Sequence, residues 1–164
     1  MFQTEIEAAV VSLAAQLQQQ QCRVVTAESC TAGWIAKSLT DPAGSSAWFE
    51  RGLVTYSNES KMELLGVTEQ TLREQGAVSE ATIKEMVNGA LEKSSAEVAV
   101  AVSGIAGPSG GTAEKPVGLV WFGWQRRGKP CHTESKIFSG DRDAVRAQTV
   151  LWALRGLEQS CADG

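Results

Sequence analysis

Ser29 lies in the run Ala27-Glu28-Ser29-Cys30-Thr31-Ala32-Gly33, where the β-branched stretch Val24-Val25-Thr26 gives way to a helical pattern. A serine at a strand-to-helix turn can point its hydroxyl into a cleft, and free N–H groups at the helix start stabilise a developing oxyanion. Nucleophilic attack is one chemistry this cluster supports. The alternative is that Glu28, Ser29 and Thr31 merely cap the helix. Lys61 closes a second polar run, Thr55-Tyr56-Ser57-Asn58-Glu59-Ser60-Lys61. With Asn58 as N-cap, Lys61 is the third helical residue, where the positive end of the helix dipole disfavours an ammonium. A lysine ordinarily titrates near ~10.4 and a general base works best at roughly 7 to 8, so desolvation must supply most of the shift. Ser–Lys pairs are an established variant of serine-hydrolase chemistry; a solvated surface lysine is the alternative.

A third cluster, Ser103-Gly104-Ile105-Ala106-Gly107-Pro108-Ser109-Gly110-Gly111, follows an unbroken apolar run. Its glycines permit close backbone approach to a ligand, as anion-binding nests do, or simply give a flexible loop. No G-K-[ST] follows, so it is not a Walker loop. Arg142 and Arg146 stand four apart at the start of the last helical pattern, where cations are unfavourable by dipole. They serve an anionic ligand or pair with Asp141 and Asp143. Cys30 and the single histidine, His132, form the weaker nucleophile pair, because His132 falls in a turn beside Lys129-Pro130-Cys131. The four cysteines form no C-x-x-C pair and, with one histidine, supply too few ligands for zinc, so reduced thiols are expected.

The elements that must position these residues follow from periodicity. Thr4 and Glu7 form a capping box for a first helix carrying Ile6, Val10, Leu13 and Leu17. Val24–Thr26 predicts a strand, Gly33–Leu39 a helix, and Trp48–Tyr56 a second strand. Gly66 ends the Lys61 helix, and Ser79 starts one with Ile83, Met86, Val87, Ala90 and Leu91 on one face. Val98–Val102 reads as a buried central strand. Val117–Trp124 and a run near Ser135–Phe138 flank the turn Arg127-Gly128-Lys129-Pro130 as a hairpin. Asp141 caps a last helix with Ala147, Val150, Leu151, Leu154 and Leu157 inward. Helices between strands predict a single α/β domain, a three-layer α/β/α sandwich with a mixed, mostly parallel sheet spanning 1–164.

Composition narrows the function. With 43% hydrophobic and 21% charged residues the chain belongs with ordinary globular proteins rather than disordered or coiled-coil ones. Fifteen Lys and Arg against nineteen Asp and Glu give a net charge of −4, which repels a phosphate backbone, so no nucleic-acid partner is expected. The five tryptophans are expected in the core or at interfaces. No basic n-region with an apolar run opens the chain and no stretch reaches the ~18 apolar residues of a membrane span, which predicts a cytoplasmic location away from the membrane.

Six motifs in order, Ala27–Gly33, Gly44-Ser45-Ser46-Ala47-Trp48-Phe49, Val54–Glu59, Gly76-Ala77-Val78-Ser79, Ser103–Pro108 and Gly140-Asp141-Arg142, resemble the CinA carboxy-terminal domain family over nearly the whole chain. The resemblance implies hydrolysis of the carboxamide of nicotinamide mononucleotide to nicotinate mononucleotide and ammonia, in pyridine nucleotide recycling, without cofactor. It gives Ser29 as nucleophile, Lys61 as base and Tyr56 as a hydroxyl assisting proton transfer between them. Thr31, Gly33, Ser46, Ser103, Gly104, Gly107, Arg142 and Arg146 are the expected substrate-binding residues, with Arg142 on the phosphate. Ala32 departs from the glycine that many members carry there, a change expected to affect helix approach rather than chemistry. Some members are fused behind a domain associated with ADP-ribose pyrophosphatase activity, which is not expected here. A homodimer is a further implication. The alternatives are a non-catalytic nucleotide-binding module and a competence- or DNA-damage-associated accessory protein.

Overall fold

The computed structural model describes residues 2–163. Five strands, β1 (Val24–Glu28), β2 (Phe49–Val54), β3 (Val98–Gly104), β4 (Leu119–Arg126) and β5 (His132–Ile137), form one sheet in the order β2-β1-β3-β4-β5. β1 pairs in parallel with both β2 and β3, whereas the β3–β4 and β4–β5 pairs are antiparallel. Four strands therefore run one way and only β4 is reversed, as a mixed, mostly parallel sheet requires.

Six helices cover the sheet: α1 (Gln3–Gln20), α2 (Trp34–Thr40), α3 (Asn58–Leu65), α4 (Glu69–Gln75), α5 (Glu80–Glu92) and α6 (Arg142–Ala162). One core joins α1, α2 and α6 to the face carrying Val24, Val98, Val100, Val102, Val120, Phe122 and Trp124. The other joins Leu65, Val67 and the α5 residues Ile83, Met86, Val87 and Ala90 to Val25, Ala27, Ala99 and Ala101. Successive β3 residues thus enter opposite cores, which is why Val98–Val102 is apolar at every position rather than alternating. The expected three-layer α/β/α arrangement is the one observed.

Gly89 lets α3 and α5 close on each other: a Cβ at that position would overlap the Leu65 carbonyl. Lys61 rides on the same short helix as Leu65. Gly89→Ala is expected to destabilise the fold by about 1–3 kcal/mol, the usual cost of overpacking, despite the ~1 kcal/mol helical preference of alanine. A lower thermal midpoint together with reduced turnover is the expected result, and an unchanged midpoint would show that the close approach is dispensable.

Several boundaries differ from expectation. α1 starts at Gln3 after Phe2, which makes no side-chain cap, so Thr4 lies inside the helix instead of capping it. Ser57, not Asn58, caps α3, its hydroxyl accepting from the Ser60 N–H, because the chain enters the helix one residue earlier. α4 was not foreseen: it buries no residue and its pattern is polar, so periodicity offers nothing to detect. The last strand starts at His132 rather than Ser135. Ser79 and Asp141 cap α5 and α6 as expected, and Gly66 ends α3 in the left-handed conformation. Trp48 and Trp124 are buried core residues, each donating its indole N–H to a helical carbonyl, that of Leu39 and that of Ala153.

Candidate active site

Parallel pairing places the carboxyl ends of β1, β2 and β3 side by side, with Glu28 opposite both Val54 and Val102. The ladder continues one step beyond them. The Ser29 N–H donates to the Val102 carbonyl at 3.2 Å and the Thr55 N–H to the Glu28 carbonyl at 2.8 Å. The three polar clusters, distant in sequence, therefore meet at one sheet edge, where open α/β sheets form ligand crevices. They surround a cleft of about 210 Å³ lined by Ser29, Cys30, Tyr56, Asn58, Lys61, Ala77, Val78, Ser103, Gly104, Ala106 and Arg142.

Lys61 lies at the fourth position of α3 and is 1% exposed, with its Nζ 3.0 Å from Ser29 Oγ. Two main-chain carbonyls complete its surroundings, Thr55 at 2.9 Å and Tyr56 at 3.2 Å. A neutral amine has two N–H donors and one lone pair. The two carbonyls take the donors, and the lone pair is left facing the Ser29 hydroxyl. No carboxylate lies within 4 Å of this nitrogen among the described residues. Burial consequently pushes the Lys61 pKa below its ordinary 10.5.

The first cluster divides between two tasks. Glu28 is buried, and its carboxylate accepts from the Thr31 hydroxyl at 2.6 Å and from the N–H groups of Ile35 and Ala36 at 2.8 and 3.0 Å. Glu28 and Thr31 cap α2, and Ser29 is left for the cleft. Burial raises the Glu28 pKa, opposed by those hydrogen bonds. Cys30 is also buried and its thiol is pushed up to about 12, far from the thiolate that a Cys–His nucleophile needs. His132 is exposed on β5 and does not line the cleft. All four cysteines are free thiols.

Of the expected binding residues, Ser103, Gly104 and Arg142 line the cleft, whereas Thr31, Gly33, Ser46, Gly107 and Arg146 do not. The Thr31 hydroxyl is committed to Glu28. Gly33 precedes α2 with φ +97°, a backbone role. Ser46 sits in a 3-10 turn over Ser45–Ala47 before β2. Gly107 contributes its carbonyl, which accepts from Arg142 Nη1 at 2.8 Å. Arg146 bonds the carbonyls of Cys30 and Thr31. Tyr56 lines the cleft and is 60% exposed, with its hydroxyl 3.4 Å from Arg142 Nη2, while Lys61 and Ser29 touch directly. The carbonyls of Thr55 and Tyr56 went unforeseen because main-chain acceptors leave no residue-type signal. Ala32 holds φ +47°, a conformation natural to the glycine that the resemblance places there.

A buried lysine amine thus lies against a serine hydroxyl at the carboxyl edge of a mixed sheet, on an α/β/α scaffold. The chain belongs to the CinA C-terminal domain family, whose model matches residues 6–161. It is 56% identical over 143 residues, 87% of each chain, to the nicotinamide-nucleotide amidohydrolase PncC of Escherichia coli strain K12. It is 52% identical over 147 residues to the protein of that name from Pseudomonas putida, covering 90% of this chain and 91% of the relative. The crystal structure of the competence/damage inducible protein CihA from Agrobacterium tumefaciens superposes with a TM-score of 0.93 at 44% identity, covering 95% of both chains. Among the described residues no helix is long and apolar enough to cross a membrane, and no group of three His, Cys, Asp or Glu side chains is placed to hold a metal ion.

Proposed function

We propose that this chain hydrolyses the carboxamide of nicotinamide mononucleotide, giving nicotinate mononucleotide and ammonia. The observation that carries the reading is the 3.0 Å contact between Lys61 Nζ and Ser29 Oγ, inside a chain similar over most of its length to nicotinamide-nucleotide amidohydrolases. Ser29 Oγ attacks the amide carbon as its proton passes to neutral Lys61. Lys61 then returns that proton to the departing nitrogen, and ammonia leaves an acyl ester on Ser29. Water attacks the ester with Lys61 again accepting a proton, and the acid product separates from restored Ser29. Atoms balance as amide plus water to acid plus ammonia.

A cleft of about 210 Å³ is smaller than the ~300–1,000 Å³ of typical enclosed small-molecule sites. It suits the reacting carboxamide and pyridine ring, with Ala77 and Val78 as an apolar wall. The ribose and phosphate extend to the mouth, where Arg142 is held by Gly107 and meets the Tyr56 hydroxyl. Ser103 and Gly104 border the same cleft. Pyridine nucleotide recycling and a cytoplasmic location belong to this reading, as does the homodimer implied by the resemblance.

The test is product analysis with purified protein and nicotinamide mononucleotide, alongside nicotinamide riboside and free nicotinamide. Acid product and ammonia in equal amounts, formed preferentially from the mononucleotide, is the expected result. Tight binding of the mononucleotide without product would favour a non-catalytic nucleotide-binding module.

A further inference from the structure

We propose that Val78 is a specificity-determining residue for this reaction, the wall that confines the substrate to a single six-membered ring and shuts it out of a neighbouring groove floored by Trp121. The proposal rests on the amidohydrolase reading above. Strand register puts the nucleophile and that groove on one floor. Ala27 pairs with Ala101, and the ladder runs on through the Ser29 N–H to the Val102 carbonyl, which brings Ser103 beside Ser29. Ser103 in turn lies opposite Trp121, and Trp121 opposite Ser135. Residues directly opposite on paired strands point to the same face. Ser29, Ser103, Trp121 and Ser135 therefore form one row across β1, β3, β4 and β5, on the face where Ala27, Ala101 and Trp121 pack with α5.

Two hollows share this row. Ser29 and Ser103 belong to the cleft of about 210 Å³, whereas Trp121 and Ser135 line a groove of about 590 Å³ rimmed by Glu80, Lys84 and Lys115. Among the described residues Val78 alone lines both. It stands over the step from Ser103 to Trp121, whose Cα atoms are roughly 5 Å apart in an antiparallel pair. A side chain at that step decides whether a ligand in the cleft can reach the groove.

The wall is fixed from both sides. The Gly76 carbonyl accepts from the Ser79 hydroxyl at 2.9 Å and from the Thr82 hydroxyl at 2.7 Å. Lys115, from the loop before β4, donates to the Gln75 carbonyl. The turn that carries Val78 is thus tied to α5 and to that loop, a partition and not a lid. Beyond it, Trp121 is only partly buried and offers an indole on which a second aromatic ring can stack. Val78→Ala removes two carbons at the partition and joins the cleft to that platform.

The experiment compares wild type, Val78→Ala and Val78→Thr on nicotinamide mononucleotide and on its analogues with a phenyl group at ring carbon 4, 5 or 6. A second arm measures how fast Ser29 is labelled by two fluorophosphonates, one carrying a small alkyl group and one a naphthyl group, which needs no amide turnover. Wild type should reject all three analogues and favour the small label. Val78→Ala should shift kcat/KM toward at least one analogue, relative to the parent nucleotide, on the order of 10²-fold, with a parallel shift toward the naphthyl label. Val78→Thr keeps the shape of valine and should keep the wild-type ratios. Adding Trp121→Ala to Val78→Ala should remove most of the gain. Because each readout is a ratio, a general loss of stability cancels. Ratios unchanged in Val78→Ala, or shifted equally in Val78→Thr, would overturn the proposal. Wild type that labels but does not hydrolyse the mononucleotide would defeat only the substrate assignment, with the labelling ratio then deciding on Val78.

Discussion

Ser29→Ala is expected to lower kcat by on the order of 10⁴- to 10⁶-fold, the scale seen when the nucleophile of a serine hydrolase is removed. The hydroxyl forms and breaks the covalent bond to substrate, and no neighbour can replace it: Cys30 is buried with its thiol pushed up to about 12. The fold should survive. Lys61 Nζ keeps the Thr55 and Tyr56 carbonyls as partners, and only one hydrogen bond is lost. Substrate affinity should change by no more than about 1 kcal/mol, because a neutral hydroxyl adds little to ground-state binding. Calorimetric titration of Ser29→Ala with nicotinamide mononucleotide, beside its turnover, separates the two effects. Binding lost along with turnover would mean that the serine holds the substrate instead of attacking it.

Lys61→Arg is expected to be nearly as damaging, on the order of 10⁴-fold in kcat, since a guanidinium does not lose its proton in proteins and cannot serve as base. Lys61→Met, which is one atom shorter and adds no bulk in a site only 1% exposed, guards against a loss caused by crowding alone. The pH dependence carries a further signature. Burial lowers the Lys61 pKa from 10.5, so kcat/KM should rise with pH as the amine becomes neutral and fall as pH drops through the lowered value. Residual activity of Lys61→Met should lack that limb. Stability follows the same direction. Between the lowered folded pKa and 10.5 the unfolded chain binds more protons, so this residue's contribution increases with pH across that window and is lost as pH falls through the folded value. An active Lys61→Arg enzyme would require a different proton path.

The layers of the fold were legible because buried strands and amphipathic helices carry distinct periods. Val98–Val102 read as a two-sided strand, and Ile83, Met86, Val87 and Ala90 as one helix face, and both sit in the cores accordingly. Polar α4 was silent for the same reason. Within the site, Ser29 and Lys61 stood out by residue type and by resemblance, yet their contact depends on parallel pairing of β1 with β2, a long-range fact that no local window contains. Glu28 and Ser29 illustrate the limit: adjacent residues in one motif, sent by strand alternation to opposite faces, one to cap α2 and the other to meet Lys61. Arg146 shows it again. A cation near a helix start suggested an anionic ligand, while its acceptors are two carbonyls of a turn 115 and 116 residues earlier.

Ammonia release from nicotinamide mononucleotide by chelator-treated wild type, measured side by side with Ser29→Ala, tests the central claim most directly. Sustained release by wild type that disappears in the variant is the predicted result. Equal release from both proteins, or none from wild type, would contradict a serine–lysine amidohydrolase acting on this nucleotide.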